Sequence, residues 1–507
     1  MSSGRRYVVL FIVSAALALI SLDNTIVNVA LPQMQEALKA STSELQWVVD
    51  AYSVMFAGTL LLAGALGDRF GRRRALVIGL GIFGSASLAG GFATSVDMLI
   101  VCRAVMGVGG AFIMPSTLSI LAQVFTDRRE RAKAIGLWAA VAGAAIGLGP
   151  IVGGALLEQF SWSSVFWVNP PLVVVVLVAV LLFVPESKDP ARPRLDPLGA
   201  ILSTVGLIAL VVTVVEVPDS GFTAVTMSAA IIAIGALWGF VAWQRHCAHP
   251  LLPMSLFTDS VFRVALVSVG LVYFALMGVM FFLPQYLQLV QGFSPLASGF
   301  GVLPGALGLF AASLASPALA LRLGAKSVVV AGLLIVSLGL LIAATLGVDS
   351  AYVHVGAALG LMGIGLGCVL PQATNGILAS VPQQRSGLGS AVNDGIGELG
   401  GSFGVAILGS IVAVFYRSAI DTDIDAAGDA IASVPASVVE AVRESLASAQ
   451  LVMAQISAAD AQILREATGN AFVSGMGWAF IAGAVAALIG AAYAFRSFPA
   501  QLAPVSE

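Results

Sequence analysis

Five ionisable residues lie where so apolar a chain should not tolerate them. Asp23, Asp50, Arg103, Asp394 and Glu398 each fall inside a long hydrophobic run. A carboxyl group in hydrocarbon is costly unless it is protonated, paired or turned toward water. Such a residue either ties two segments together or takes up and releases protons or cations, and both readings are open for Asp23 and Asp50. Trp47 and Tyr52 flank Asp50, and a ring face beside a carboxylate can host a cation; an interfacial anchor explains Trp47 as well. Arg103 keeps its charge, so it needs an acid, carbonyls or water beside it. Asn393-Asp394-x-x-x-Glu398 puts two carboxyls at i and i+4 on one helix face. Two like charges there cannot both ionise cheaply, so a proton is expected to stay on the pair near neutral pH. This pair ranks first for proton coupling or cation binding.

The elements that must hold these residues are membrane spans. The chain has 507 residues, 59% hydrophobic and 10% charged, with a mean hydropathy of +0.99. Soluble domains carry about 25% charged residues, so this is an all-α integral membrane protein. A net charge of −3 suggests no nucleic-acid partner. Cys102, Cys247 and Cys368 are odd in number and far apart, which gives neither a disulfide framework nor a metal cluster. Arg5-Arg6 and the apolar run behind them resemble a secretory signal, yet the run continues into Asp23, so it is expected to stay as the first helix.

A crossing needs about 20 apolar residues. Fourteen runs qualify: 7–31, 46–66, 75–94, 97–122, 134–157, 164–184, 197–217, 223–243, 261–290, 296–320, 328–346, 351–378, 387–416 and 471–496. Between the second and third runs lies Gly64-Ala65-Leu66-Gly67-Asp68-Arg69-Phe70-Gly71-Arg72-Arg73-Arg74. Its four arginines mark a cytoplasmic surface. With both termini on that side, nineteen of the 24 Lys and Arg residues fall inside, Arg192 and Arg194 among them. Arg69-x-Gly71 recurs as Arg322-x-Gly324, offset by 253, and Pro115 is echoed by Pro371, offset by 256. Two near-constant offsets imply a duplicated unit. The expected organisation is a six-helix bundle at 1–186, a two-helix insertion with linkers at 187–258, and a second bundle at 259–507. An acidic outer loop at 418–470, Asp429 included, interrupts the second bundle. Helical spacing at 436–450 and Ser457-x-x-Asp460 suggest a short helical pair within it.

The fifth run carries Gly143-x-x-x-Gly147-x-Gly149-Pro150-x-x-Gly153-Gly154. Such small-residue faces allow close helix approach, and proline removes a backbone donor. Together with the Gly64–Arg74 loop, Leu22-Asp23-Asn24-Thr25 through Pro32, and Arg103-x-x-x-Gly107, this resembles the major facilitator superfamily. Within it the fourteen-helix drug:proton antiporter branch is the match, and the resemblance covers 7–417 and the last span.

That resemblance implies two six-helix bundles plus two inserted helices, and proton-coupled efflux of hydrophobic cationic drugs. It implies a cytoplasmic gate at Gly64, Asp68, Arg69, Gly71, Arg72 and Arg73. It also implies an antiporter motif at Gly143, Gly147, Gly149, Pro150, Gly153 and Gly154 that seals the centre against proton leak. Proton coupling would fall to Asp23, Asp50, Arg103, Asp394 and Glu398. Members of the branch commonly carry Arg one residue before the Glu; Gly397 here leaves Glu398 freer to meet a cation. Substrate is expected against Asp394, Glu398, Phe281, Tyr286, Gln288, Gln372 and Asn375, although core packing explains the last five almost as well. Partners would be an amphipathic small molecule, protons and membrane lipid. The protein would act as a monomer in a bacterial cytoplasmic membrane, with no cofactor beyond the proton gradient. An exporter of an endogenous lipid or metabolite shares every motif. A channel would need a selectivity ring and an enzyme a nucleophile–base pair, and neither is visible around His246, His249 or His354.

Overall fold

The structure, a computed structural model, describes residues 3–40, 42–188, 196–427, 434–453 and 456–498. Arg192, Arg194 and Asp429 lie outside the described residues. Everything regular among those described is helical. The order is α1 Ser3–Leu38, α2 Thr42–Phe70, α3 Arg72–Gly90, α4 Val96–Val124, α5 Arg128–Leu157, α6 Ser164–Trp167, α7 Asn169–Phe183, α8 Pro197–Ser220 and α9 Ala224–His246. The second half follows with α10 Ser260–Gln285, α11 Pro295–Gly301, α12 Leu303–Leu323, α13 Ala325–Ala343, α14 Tyr352–Ser380, α15 Ser386–Ala427, α16 Ala436–Glu444, α17 Leu446–Val452 and α18 Ala458–Ser497.

Among the described residues, thirteen helical segments are long and apolar enough to cross a membrane. Helix α3 is the further one marked by the sequence; its first turn spends three positions on Arg72, Arg73 and Arg74. The repeated Arg-x-Gly has a structural meaning. Gly71 (φ 126°) separates α2 from α3, and Gly324 (φ 84°) separates α12 from α13. Both glycines adopt a backbone that a side chain would strain. Helix α5 begins at Asp127, whose carboxylate accepts the Glu130 and Arg129 N–H groups at 2.9 Å each. The bond from Glu130, with that from Arg129, holds this carboxyl below its ordinary range.

Two main apolar cores form, one from residues 9–184 with Leu378, the other chiefly from residues 251–498. Helix α1 packs on α5, α4 and α7, while α10 packs on α15, α14 and α18. The cores meet along two seams, α2 and α4 against α15, and α5 against α12, α14 and α11. Helices α8 and α9 pair with each other, and α8 also lies on α2 and α15. Their near end is knotted by Asp196, which accepts from Gly199 N–H (2.9 Å), Trp243 Nε1 (2.8 Å) and Gln244 Nε2 (2.6 Å).

The outer segment differs from the expected loop. Helix α15 runs on to Ala427 and α18 starts at Ala458, so most of the described part of 418–470 is helical. Hydropathy ends at the first charges, but backbone hydrogen bonding does not. The short pair appears as α16 and α17, tied down by Tyr416 Oη to the Val442 carbonyl (2.7 Å). Ser457 caps α18 by accepting Asp460 N–H at 3.1 Å.

Candidate functional site

Two acid centres occupy the interior, and they differ in how their charge is met. Asp23 on α1 is fully buried, and Arg103 on α4 is 1% exposed. Arg103 Nη1 donates to Asp23 Oδ2 at 2.7 Å, and its Nε donates to the Val48 carbonyl at 3.0 Å. Asn169 Nδ2 donates to Asp23 Oδ1 at 2.6 Å and also reaches Ser87 Oγ at 3.0 Å. The Tyr52 ring lies 4.6 Å below the guanidinium and stacks on Phe56. Four helices of one half are therefore pinned by one ion pair. The geometry ties helices together, and it leaves a part in proton handling open for Asp23.

Asp50 and Tyr52 point to different sides of their helix. The two residues are about 200° apart around α2, and the ring is taken by Arg103. Trp47 packs instead against the small cluster of Val54, Ala57 and Val211. Asp50 itself is half-buried.

The second centre sits on α15 where it meets α2. Asp394 is 5% exposed. Its Oδ1 accepts from Asn393 Nδ2 at 3.0 Å, and Asn393 Oδ1 in turn accepts from Thr374 Oγ1 at 2.9 Å. Asp394 Oδ2 is buried and has no hydrogen-bond partner among the described residues. Glu398, one turn on and half-buried, is bonded by the Ser53 hydroxyl of α2. Ser53 and Tyr273, which both bear on this centre, were invisible in the sequence because neither stands in a motif.

At the basic end the halves are locked together. Asp68 Oδ1 accepts from Arg72 Nε (2.9 Å), Arg72 Nη2 (2.6 Å) and Gly387 N–H (3.0 Å), while Oδ2 accepts from Leu388 N–H at 3.1 Å. The carboxylate thus caps the N-terminus of α15, where the helix dipole favours an anion. Arg72 Nη2 also reaches the Gln384 carbonyl at 2.7 Å. Gln383 Nε2 donates to the Ala122 carbonyl at 3.1 Å. A Cβ at Gly64 would stand 2.7 Å from the Gly387 oxygen and 2.8 Å from the Ala391 Cβ, so only glycine lets α2 and α15 close here. Arg73 and Gly71 work within their own half, against Val184 and Glu186 at the end of α7. Arg69 lies over the Phe70 ring at 5.4 Å. Asp68→Asn keeps the shape but removes the charge, which should cost about 2 kcal/mol, or about thirtyfold in the closed-to-open ratio. Spin-label distances across this end should shift toward the open value; an unchanged distribution would show that the carboxylate does not hold the gate.

The glycine motif of α5 has two faces. A Cβ at Gly149 would collide with the Thr25 hydroxyl, and one at Gly153 would meet Ile26 at 2.9 Å, both on α1. Gly143 faces Leu309, Gly147 faces Ala306 at 2.7 Å, and Gly154 faces Leu296 at 3.5 Å, all in the second half. Pro150 contacts Gly299 there as well. Gly143 and Gly147 also line an apolar pocket with Leu276, Met280, Leu309 and Met362.

None of Phe281, Tyr286, Gln288, Gln372 and Asn375 lines that pocket. Tyr286, expected as lining, is fully buried here, its hydroxyl donating to the Gly347 carbonyl (2.7 Å) and accepting from Gln291 (2.8 Å). Gln372, 6% exposed, is likewise committed to Ser316 at 3.0 Å, bracing α14 on α12. Phe281 is 48% exposed on the surface of α10, edge-on to Phe282. Gln288 is half-buried. Asn375 keeps a buried Oδ1 with no partner among the described residues.

With this arrangement in hand, comparison with known proteins is informative. Residues 13–405 match the sequence profile described as Major Facilitator Superfamily. The chain belongs to the major facilitator superfamily. It is 37% identical to the multidrug efflux pump LfrA of Mycolicibacterium smegmatis over 96% of each chain. It is 34% identical to the multidrug resistance protein Stp of Mycobacterium tuberculosis, over 81% of this chain and 76% of that one. The tetracenomycin C resistance and export protein of Streptomyces glaucescens is 31% identical, over 99% of this chain and 94% of that one. The fold of this superfamily member matches the crystal structure of the human organic anion transporter MFSD10 (TETRAN), with a TM-score of 0.61 and 15% identity, covering 96% of this chain and all of that one. The chain is thus a multi-pass membrane transporter, all-α in fold.

Proposed function

We propose that this protein exports hydrophobic, cationic drugs across a bacterial cytoplasmic membrane in exchange for protons. The drug-efflux part is supported by the relatives, which are named for multidrug efflux and antibiotic resistance. The proton-coupled part rests chiefly on one observation: Asp394 holds a buried, unpartnered carboxylate oxygen beside Glu398, at the seam where the two halves meet. A group that must be either protonated or met by a cation there is a device for exchanging the two. In this reading the basic end faces the cytoplasm, both termini lie on that side, and the locked gate represents the state closed to the cytoplasm. Carboxylates freed of protons inward take up the cation. Outward rearrangement of the halves and reprotonation then release it. The division at 1–186, 187–258 and 259–507 belongs to the same proposal. So do a monomeric carrier and a driving force from the proton gradient alone.

Each net charge moved across the membrane is worth about 2.3 kcal/mol per 100 mV. One proton for one monovalent cation therefore draws only on the pH gradient. The test is efflux of a fluorescent cation from energised vesicles, with and without a protonophore, beside a lipid-export assay in the same vesicles. Protonophore-sensitive cation efflux is expected. Lipid movement without cation efflux would transfer the site to an endogenous substrate.

A further inference from the structure

Tyr273 has no part in the gate, the ion pair or the glycine seams. It is half-buried on α10, which packs on the helix that carries Asp394 and Glu398. A Cβ at Gly397 would stand 3.1, 3.2 and 3.4 Å from three atoms of its ring. The ring thus fills the space that any other residue at 397 would claim, directly before Glu398 in the chain. One turn along, a Cβ at Gly401 would meet Met277 at 2.8 Å, so this face of α10 lies flat on a glycine strip of α15. Leu276 and Met280 then open into the apolar pocket. From Tyr273 to Met280 is about 10 Å of helix. Along α10, therefore, an aromatic ring packed beside the acid-bearing stretch of α15 is followed by a thioether-bearing apolar chamber.

We propose that Tyr273, seated on Gly397, is the aromatic wall of the acid site and selects planar organic cations with delocalised charge. The proposal rests on the cation-export reading of the same acids. A ring attracts a cation more strongly once water is excluded, and a flat aromatic cation adds stacking that a compact ammonium cannot match. The glycine is part of the selection, because a side chain at 397 would push the ring off its seat. The unpartnered Asp394 oxygen supplies the counter-charge within the same site.

The test is equilibrium binding to the purified full-length protein, with ethidium as the planar cation and dodecyltrimethylammonium as the alkyl one. Tyr273→Leu should weaken ethidium about tenfold, while alkyl affinity stays within about twofold. Tyr273→Phe should restore ethidium binding, and Gly397→Ala should weaken it in the same direction as the leucine variant. Unchanged alkyl binding in Tyr273→Leu also reports that the variant is folded. Equal losses for both ligands, or no loss for either, would overturn the assignment and leave the ring as packing. Wild-type efflux indifferent to a protonophore would instead remove the coupling scheme, with the binding preference still assigned to the ring.

Discussion

Asp394→Asn is expected to lose proton-linked efflux, with the rate falling by about a hundredfold, the scale seen when a positioned proton-transfer group is removed. Asparagine matches aspartate in shape and can still meet Asn393, which bonds Oδ1 in the native chain. It cannot carry the proton or the charge, and the unpartnered Oδ2 is where that loss is felt. Counterflow of an uncharged labelled drug against its unlabelled form at equal pH should survive, because that exchange needs rocking of the halves but neither net proton movement nor the counter-charge of Asp394. Glu398→Gln should follow the same pattern more mildly, since Glu398 already has the Ser53 hydroxyl. Full proton-linked efflux in Asp394→Asn would sink the coupling role of this residue.

The second large effect belongs to the other acid centre. Arg103→Ala would leave the fully buried Asp23 with Asn169 alone. Removing one partner of a buried pair costs about 3–5 kcal/mol, because an uncompensated charge remains. The purified variant should melt well below wild type, or fail to accumulate. Replacing both partners together, as Asp23→Leu with Arg103→Met, should recover most of that loss, since no buried charge is left. Transport by this double variant then decides the function of the pair. Active export would make it a brace; a folded, drug-binding but uncoupled carrier would give it a part in proton movement. A single Arg103→Ala variant as stable as wild type would contradict the geometry, since the guanidinium also holds the Val48 carbonyl.

How far these centres could be read in advance depended on what kind of signal each leaves. Asp23, Arg103, Asp394 and Glu398 announce themselves because charge in an apolar run is rare whatever its partner. The Arg-x-Gly echo has a conformational cause: Gly71 and Gly324 both break a helix with positive φ, a demand that only backbone geometry can make. Tyr286 is ambiguous for the opposite reason. An amphipathic ring in a span looks the same whether its hydroxyl meets water or, as here, a carbonyl 61 residues away. Tyr273, Ser53 and Glu186 leave no trace in sequence, because their meaning comes from neighbours on other helices. The ends of α15 and α18 were missed because hydropathy reports solvent, whereas a helix ends only when its hydrogen bonds do.

Helix α8 rests on α2 at Gly58, where a Cβ would meet Ile208 and the Thr204 carbonyl, and it touches α15 through the cluster around Val211 and Leu399. The two long edges of the seam between the halves are therefore not alike. One is covered by α8; along the other, at α5 and α12, neither α8 nor α9 packs substantially among the described residues. If the proposed rocking of the halves operates, a guest arriving from the bilayer would find one of the two edges covered, and the movement would have to slide beneath α8.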